Sequence, residues 1–144
     1  MRALCLAGLG VVLGVAALAQ PAPEWQRAWI FDGFDCPRCS PDDRAWLVAR
    51  HGQQVVFGPT SFINPLYEDC PAGVDYADLR PRSAPEIQNY FGKKRLPAMI
   101  SPSPVAGRIQ CAQPSEPPNT VARVVLDGPR GFLLHESGAV LRLR

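Results

Sequence analysis

The chain has 144 residues, with 15 lysines and arginines against 13 aspartates and glutamates, and a formal net charge of +2. This near balance, without a basic stripe or an acidic run, gives no indication of a nucleic-acid-binding surface or a charged tail. The length predicts one domain with a substantial hydrophobic core, and the 16 prolines leave little room for long helices.

The first 19 residues have the pattern of a secretory signal peptide. Arg2 precedes an apolar stretch from Ala3 to Leu18, and Ala17-Leu18-Ala19 forms a small-x-small cleavage site. The stretch is short for a membrane span, and its glycines weaken it further; an uncleaved anchor is the alternative. We therefore expect cleavage of residues 1–19 and a single domain over residues 20–144. The expected location is extracytoplasmic (periplasmic or secreted), with no membrane span after cleavage.

A C-x-x-C motif follows the first predicted strand. The strand covers residues 25–34 and leads into Cys36-Pro37-Arg38-Cys39. A helix is predicted over residues 40–51, because Ser40 and Asp43 can form a capping box. A cysteine pair between a strand and a helix is typical of thiol–disulfide exchange. The alternatives are a purely structural bridge and a zinc site in which the four cysteines of the mature chain are the ligands.

The middle of the chain contains one more predicted helix. A short strand is predicted over residues 54–57, and residues 60–82 are predicted to be irregular. Ser83 and Glu86 can form a second capping box, which begins a helix that ends before Gly92.

The last third of the chain is predicted to be rich in strands. Residues 96–100 form an apolar strand that is opened by Pro97, and the Pro- and Ser-rich residues 101–118 are predicted to be loop. His135 is predicted to be a surface residue on a strand. Three strands are predicted over residues 121–126, 131–135 and 139–143, with a tight turn at Ser137-Gly138 before the last.

Four cysteines remain once the leader, which contains Cys5, is removed. An even number of cysteines in an oxidising compartment indicates disulfides, with three possible pairings. The most economical pairing is Cys36–Cys39 with Cys70–Cys111. The second bridge would close a loop of about 40 residues, which the chain-entropy model values at about 3–4 kcal/mol. No metal site and no cofactor is predicted.

The order of these elements resembles the thioredoxin fold, and two passages carry the resemblance. AWIFDGFDCPRC, residues 28–39, is similar to the first strand and active-site turn of that family. EIQNYFGKKRLPAMI, residues 86–100, is similar to the helix–Gly–Pro–strand passage that holds the family's cis-proline. The resemblance implies an α/β domain with a central mixed sheet, flanking helices, an insertion and a β-rich C-terminal end.

The resemblance offers two candidates for the proline that lies against the disulfide and presents backbone to the substrate. Pro97 is favoured, because the helix before it also matches. Pro129, in the passage GPRGFLLHESGAVLRLR, is the alternative. The chain departs from the family at Asp35, where many members have tryptophan, and at Ile30, where many have a buried carboxylate.

The function that the resemblance implies is that of an exported thiol–disulfide oxidoreductase. Its partners would be protein thiols or disulfides and a membrane thiol reductase. Cys36 is expected to attack a substrate disulfide, and Cys39 to resolve the mixed disulfide. The alternative is a non-catalytic, disulfide-stapled module that serves as a binding or accessory protein. An exposed Cys36 would favour the first hypothesis, and a buried pair would favour the second.

Overall fold

Antiparallel strands dominate the structure. The computed structural model describes residues 22–91, 96–112, 120–135 and 137–144. The strands in these ranges are β1 (Ala28–Asp35), β2 (Gln54–Phe57), β3 (Phe62–Ile63), β4 (Val74–Pro81), β5 (Val105–Cys111), β6 (Thr120–Asp127), β7 (Arg130–Leu134) and β8 (Val140–Leu143). The helices in the same ranges are α1 (Pro41–Val48) and α2 (Ala84–Tyr90). The strands form one nearly closed, barrel-like sheet in the order β3-β2-β1-β8-β7-β6-β5-β4.

This architecture shows that the predicted thioredoxin-like α/β fold is wrong. Parallel strands need long crossover connections, usually helices, whereas each strand pairing in the described part of the chain is antiparallel. Residues 60–82, predicted to be irregular, contain β3 and β4, and the predicted loop over residues 101–118 contains β5. Residues 96–100, predicted to be a strand, form none.

An irregularity in β4 explains why the sequence does not predict this strand. The pairing of β4 with β5 shifts register between Ala77 and Arg80, and Asp78 between them has a φ of 55°. Gly107 on β5 lies against this bulge. A Cβ atom added at Gly107 would lie 2.6 Å from the Leu79 Cα atom. A bulge interrupts the apolar–polar alternation by which a strand is recognised in a sequence.

The predictions that depended on local signals are confirmed. The Ser40 hydroxyl accepts a hydrogen bond from the Asp43 backbone N–H at 3.1 Å, and Ser83 accepts one from Glu86 at 3.4 Å. Both capping boxes are therefore formed, and each helix has proline in its first turn. The strand over residues 54–57 and the three C-terminal strands are also present, with small shifts at their ends.

Two other predictions concern residues that the structure does not describe. The predicted signal peptide, residues 1–19, and the predicted helix stop at Gly92 lie outside the described ranges. Within those ranges, no helix has the length and apolar character needed to cross a membrane.

The sheet is buried on both faces along β6, β7 and β8. The interior core includes Trp29 and Phe31, while α2 packs Ile87 onto the outer face of the sheet. Adjacent residues on a strand point to opposite faces, so Val124 belongs to the interior core and Val125 to the outer one. This double burial explains the continuous apolar runs in the last third of the sequence.

The edge strands of the sheet approach each other where the chain passes from β3 to β4. The Val74 backbone N–H donates to the Thr60 carbonyl at 2.9 Å, and the Tyr76 hydroxyl donates to the Ser61 carbonyl at 2.7 Å. These bonds bring the connection over residues 64–73 across one end of the sheet.

Candidate functional site

The Cys36–Cys39 disulfide lies between β1 and α1, as predicted, with a Cα–Cα distance of 5.4 Å. Asp35, the last residue of β1, pairs with Val140 of β8. This register places the disulfide ring beside the turn that joins β7 to β8. Cys36 is buried in the interior core with 3% of its surface exposed, whereas Cys39 is half-buried. The second cysteine, rather than the first, is therefore the more accessible one.

The β7–β8 turn places a hydroxyl against Cys39 and an imidazole against that hydroxyl. The Ser137 Oγ atom lies 3.7 Å from Cys39 Sγ and 2.9 Å from His135 Nδ1. The Ser137 backbone N–H also donates to Nδ1, at 3.3 Å. Nδ1 therefore acts as an acceptor, and the Ser137 hydroxyl can donate to it. Gly138, with a φ of 82°, provides the left-handed conformation that the turn requires.

Two aromatic rings hold the imidazole of His135. The ring centroid of Trp46 from α1 is 5.5 Å away, and that of Tyr67 is 5.4 Å away. The Arg50 guanidinium in turn lies 3.9 Å from the Trp46 ring centroid. His135, predicted to be a surface residue on a strand, is half-buried directly after β7. The sequence indicated a turn at Ser137 but no site there, and no role for Tyr67, because their neighbours come from distant parts of the chain.

The Cys70–Cys111 disulfide confirms the predicted pairing of the remaining cysteines. Its Cα–Cα distance is 5.2 Å, and it ties the β3–β4 connection to the last residue of β5. Within the same connection, the Asn64 side-chain oxygen accepts hydrogen bonds from the backbone of Leu66 and Tyr67, at 2.8 and 2.7 Å. This connection is therefore an ordered, covalently anchored segment.

A groove of about 1190 Å³ runs between α1 and the β3–β4 connection. One wall comes from α1 and the residues directly after it, and the other from the connection. The floor comes from the ends of β5 and β6 and from His135. The lining residues are Asp42, Asp43, Trp46, Arg50, Pro65, Leu66, Tyr67, Glu68, Asp69, Pro71, Ala72, Cys111, Ala112, Thr120, Val121 and His135.

The groove has an acidic rim. Among the described residues that line it, the carboxylates are Asp42, Asp43, Glu68 and Asp69, against the single guanidinium of Arg50. Arg50 is engaged within the protein, since it donates to the Pro65 carbonyl at 2.8 Å and to the Trp46 carbonyl at 3.0 Å. These carbonyls leave the charge of Arg50 in place, but the carboxylates outnumber it, so the described lining is net acidic. The Asp43 carboxylate is also held by Ser40 in the capping box.

Neither of the two predicted substrate-binding prolines lines the groove. Pro97 falls between Leu96 and Met99, which pack against the outer core, and Pro129 lies between β6 and β7. No peptide bond in the described ranges is cis. The role expected of either proline depended on the thioredoxin fold, which the chain does not have.

Nowhere in the described ranges do three or more His, Cys, Asp or Glu side chains form a group that could hold a metal ion.

No protein-family model, curated protein or solved structure matches the chain significantly, so nothing identifies it as a member of the thioredoxin-like family.

Proposed function

We propose that the protein is a disulfide-stapled binding module whose ligand occupies the groove between α1 and the β3–β4 connection. The observation that carries this proposal is the position of the two disulfides. Cys36–Cys39 lies directly before α1, which forms one wall, and Cys70–Cys111 anchors the opposite wall to β5. Walls that are fixed before binding reduce the ordering entropy that a ligand must overcome. Burial of Cys36 in the core also supports a structural role for the first disulfide.

The ligand class that best fits the groove is a cationic polypeptide segment. The volume of about 1190 Å³ exceeds the range of roughly 300–1,000 Å³ that is usual for small-molecule sites. The acidic rim is complementary to lysine and arginine side chains, and the Trp46 and Tyr67 rings offer apolar and cation–π contacts to them. An extracytoplasmic location fits this function, because disulfides persist in oxidising compartments.

Charge reversal in the groove tests the proposal. In the variant Glu68→Lys/Asp69→Lys, two exposed carboxylates of the rim become cations. We expect affinity for a short fluorescent peptide of alternating lysine and tyrosine to fall by at least about tenfold. Fluorescence anisotropy measures this change, and added salt should weaken binding to the unchanged protein.

The matched control is Glu24→Lys/Asp75→Lys, which changes the net charge equally at exposed positions outside the groove. The proposal is contradicted if the control variant loses as much affinity as the groove variant. It is also contradicted if a glutamate–tyrosine peptide of the same length binds the unchanged protein equally well.

Thiol–disulfide exchange with protein thiols or disulfides is the second candidate function. One observation favours it: the half-buried Cys39 contacts the Ser137 hydroxyl, which is in turn hydrogen-bonded to the His135 imidazole. In this hypothesis, a membrane thiol reductase would be the partner that returns electrons to the Cys36–Cys39 pair.

A redox titration in glutathione buffers, with alkylation and mass mapping, tests the second candidate. Exchange activity predicts that Cys36–Cys39 opens between about −120 and −270 mV while Cys70–Cys111 stays closed. If both bridges stay oxidised at potentials down to about −300 mV, they are structural, and the second candidate is excluded.

A further inference from the structure

We infer that Cys39 is the nucleophilic thiol of the reduced pair, and that Ser137 and His135 form a hydroxyl–imidazole relay that accepts its proton. This inference rests on the second candidate function, thiol–disulfide exchange. It reverses the order of attack expected from the sequence, in which Cys36 acts first.

Access to the two sulfurs supports this order. Cys36 has 3% of its surface exposed and packs within the interior core. Cys39 packs only at the edge of that core and is half-buried. An incoming substrate disulfide can therefore approach Cys39 without opening the sheet, whereas an approach to Cys36 would displace core residues.

The hydrogen-bond directions around Ser137 suit proton transfer away from Cys39. In the disulfide, the Cys39 sulfur has no proton to donate, and it lies in contact with Ser137 Oγ at 3.7 Å. After reduction, the thiol can donate to Oγ while the hydroxyl proton points to His135 Nδ1, 2.9 Å away. The Ala139 backbone N–H donates to the same Oγ atom at 3.4 Å and helps to fix it.

The surroundings of the relay hold its parts in place. Packing by Trp46 and Tyr67 restrains the His135 ring, and the Ser137 backbone N–H orients Nδ1 toward the hydroxyl. Arg44 of α1 donates to the Cys36 carbonyl at 2.9 Å. This bond fixes the C-x-x-C turn against α1.

The complete exchange balances as a two-electron transfer. The Cys39 thiol proton moves to Ser137 Oγ as the Ser137 proton moves to His135 Nδ1. The thiolate attacks one sulfur of a substrate disulfide, forming a Cys39–substrate disulfide, and the released substrate thiolate takes the proton from His135. The Cys36 thiol attacks Cys39 Sγ, and its proton passes to the departing substrate sulfur. This closes the Cys36–Cys39 bond and releases the second substrate thiol.

Alkylation kinetics of single-thiol variants test the relay. The variant Cys36→Ala leaves Cys39 as the free thiol of the pair, and the variant Cys39→Ala leaves Cys36. We expect iodoacetamide to modify Cys39 at least about tenfold faster than Cys36 at pH 7. Cys36 is buried and has no relay, whereas the relay raises the thiolate fraction of Cys39 above the few per cent of an ordinary thiol. In the Cys36→Ala background, Ser137→Ala and His135→Asn should each slow alkylation of Cys39 by about tenfold.

The controls separate the relay from simple folding defects. Ser137→Thr keeps the hydroxyl and should retain most of the rate. Ser103→Ala and His51→Asn remove a serine and the second of the chain's two histidines elsewhere, and should change nothing. The inference is overturned if Cys36 reacts faster than Cys39, or if Ser137→Ala and Ser137→Thr give the same rate. Alkylation needs no substrate disulfide, so its result does not depend on whether the redox titration finds exchange. Failure of this inference can therefore be told apart from failure of the second candidate function.

Discussion

Joint replacement of Cys70 and Cys111 by alanine is expected to lower the free energy of unfolding by about 4 kcal/mol. The two cysteines are 41 residues apart in sequence, so the bridge removes much of the freedom of the unfolded chain. The matched variant Cys36→Ala/Cys39→Ala removes a bridge between cysteines with a sequence separation of 3. For it, the same chain-entropy model predicts that the free energy of unfolding falls by only about 2 kcal/mol.

Urea denaturation of both variants, followed by tryptophan fluorescence, measures this difference. Limited proteolysis adds a local readout, because loss of Cys70–Cys111 should expose the β3–β4 connection to cleavage. If the two double variants lost equal stability, the loop-length explanation would fail. If cleavage occurred elsewhere first, the connection would not be the segment that this bridge restrains.

The substitution Asp127→Asn is expected to destabilise the fold by about 3 kcal/mol, because it removes a buried charge from its partners. Asp127 is fully buried at the end of β6. It accepts hydrogen bonds from the backbone N–H groups of Ile100 at 2.9 Å and Ser101 at 2.7 Å, and it pairs with Arg130. This one carboxylate therefore holds the segment before β5 against the β6–β7 turn.

The acid dependence of stability provides an independent check on Asp127. Burial alone would raise the pKa of this carboxyl group, but the backbone hydrogen bonds and Arg130 outweigh burial and lower the pKa. A lowered pKa stabilises the fold above the unfolded-state value of about 3.9, and that contribution is lost as the pH falls through the folded-state pKa. The unchanged protein should therefore lose stability more steeply below about pH 4 than Asp127→Asn does.

The exposed Asp75 on β4 gives a matched control, since Asp75→Asn makes the same chemical change in solvent. Its unfolding free energy should stay within about 0.5 kcal/mol of the unchanged protein. An equal loss in both aspartate variants would mean that the network around Asp127 contributes nothing specific.

The sequence contained enough local information to locate most helices and strands, but not to arrange them. Both capping boxes involve residues three positions apart, and these were predicted correctly. The succession of a strand, a C-x-x-C motif and a helix is also a local pattern. It does not indicate which other strands pair with that strand in the sheet. Those neighbours decide the fold: β1 pairs with β2 and β8, both antiparallel, whereas the expected mixed sheet would contain parallel pairs.

The candidate site was predictable only in part, for the same reason. The disulfide pairing followed from counting cysteines, but the contact of Ser137 with Cys39 joins residues 98 positions apart. The groove likewise combines α1, the β3–β4 connection and the ends of β5 and β6. No periodicity in the sequence indicates that these residues are neighbours, because their proximity depends on the closure of the sheet.

The pairing of β1 with β8 has a consequence for the kinetics of folding. Asp35 pairs with Val140, so the centre of the sheet depends on one of the longest-range contacts in the chain. The pairs β2–β3, β6–β7 and β7–β8 are joined by short connections and can form early. Until β1 and β8 meet, however, each would present an open edge with unpaired backbone groups, which invites pairing with other chains. Long-range pairing is slow because of the entropy of loop closure, so the step that completes the sheet is also the one at which refolding and aggregation compete.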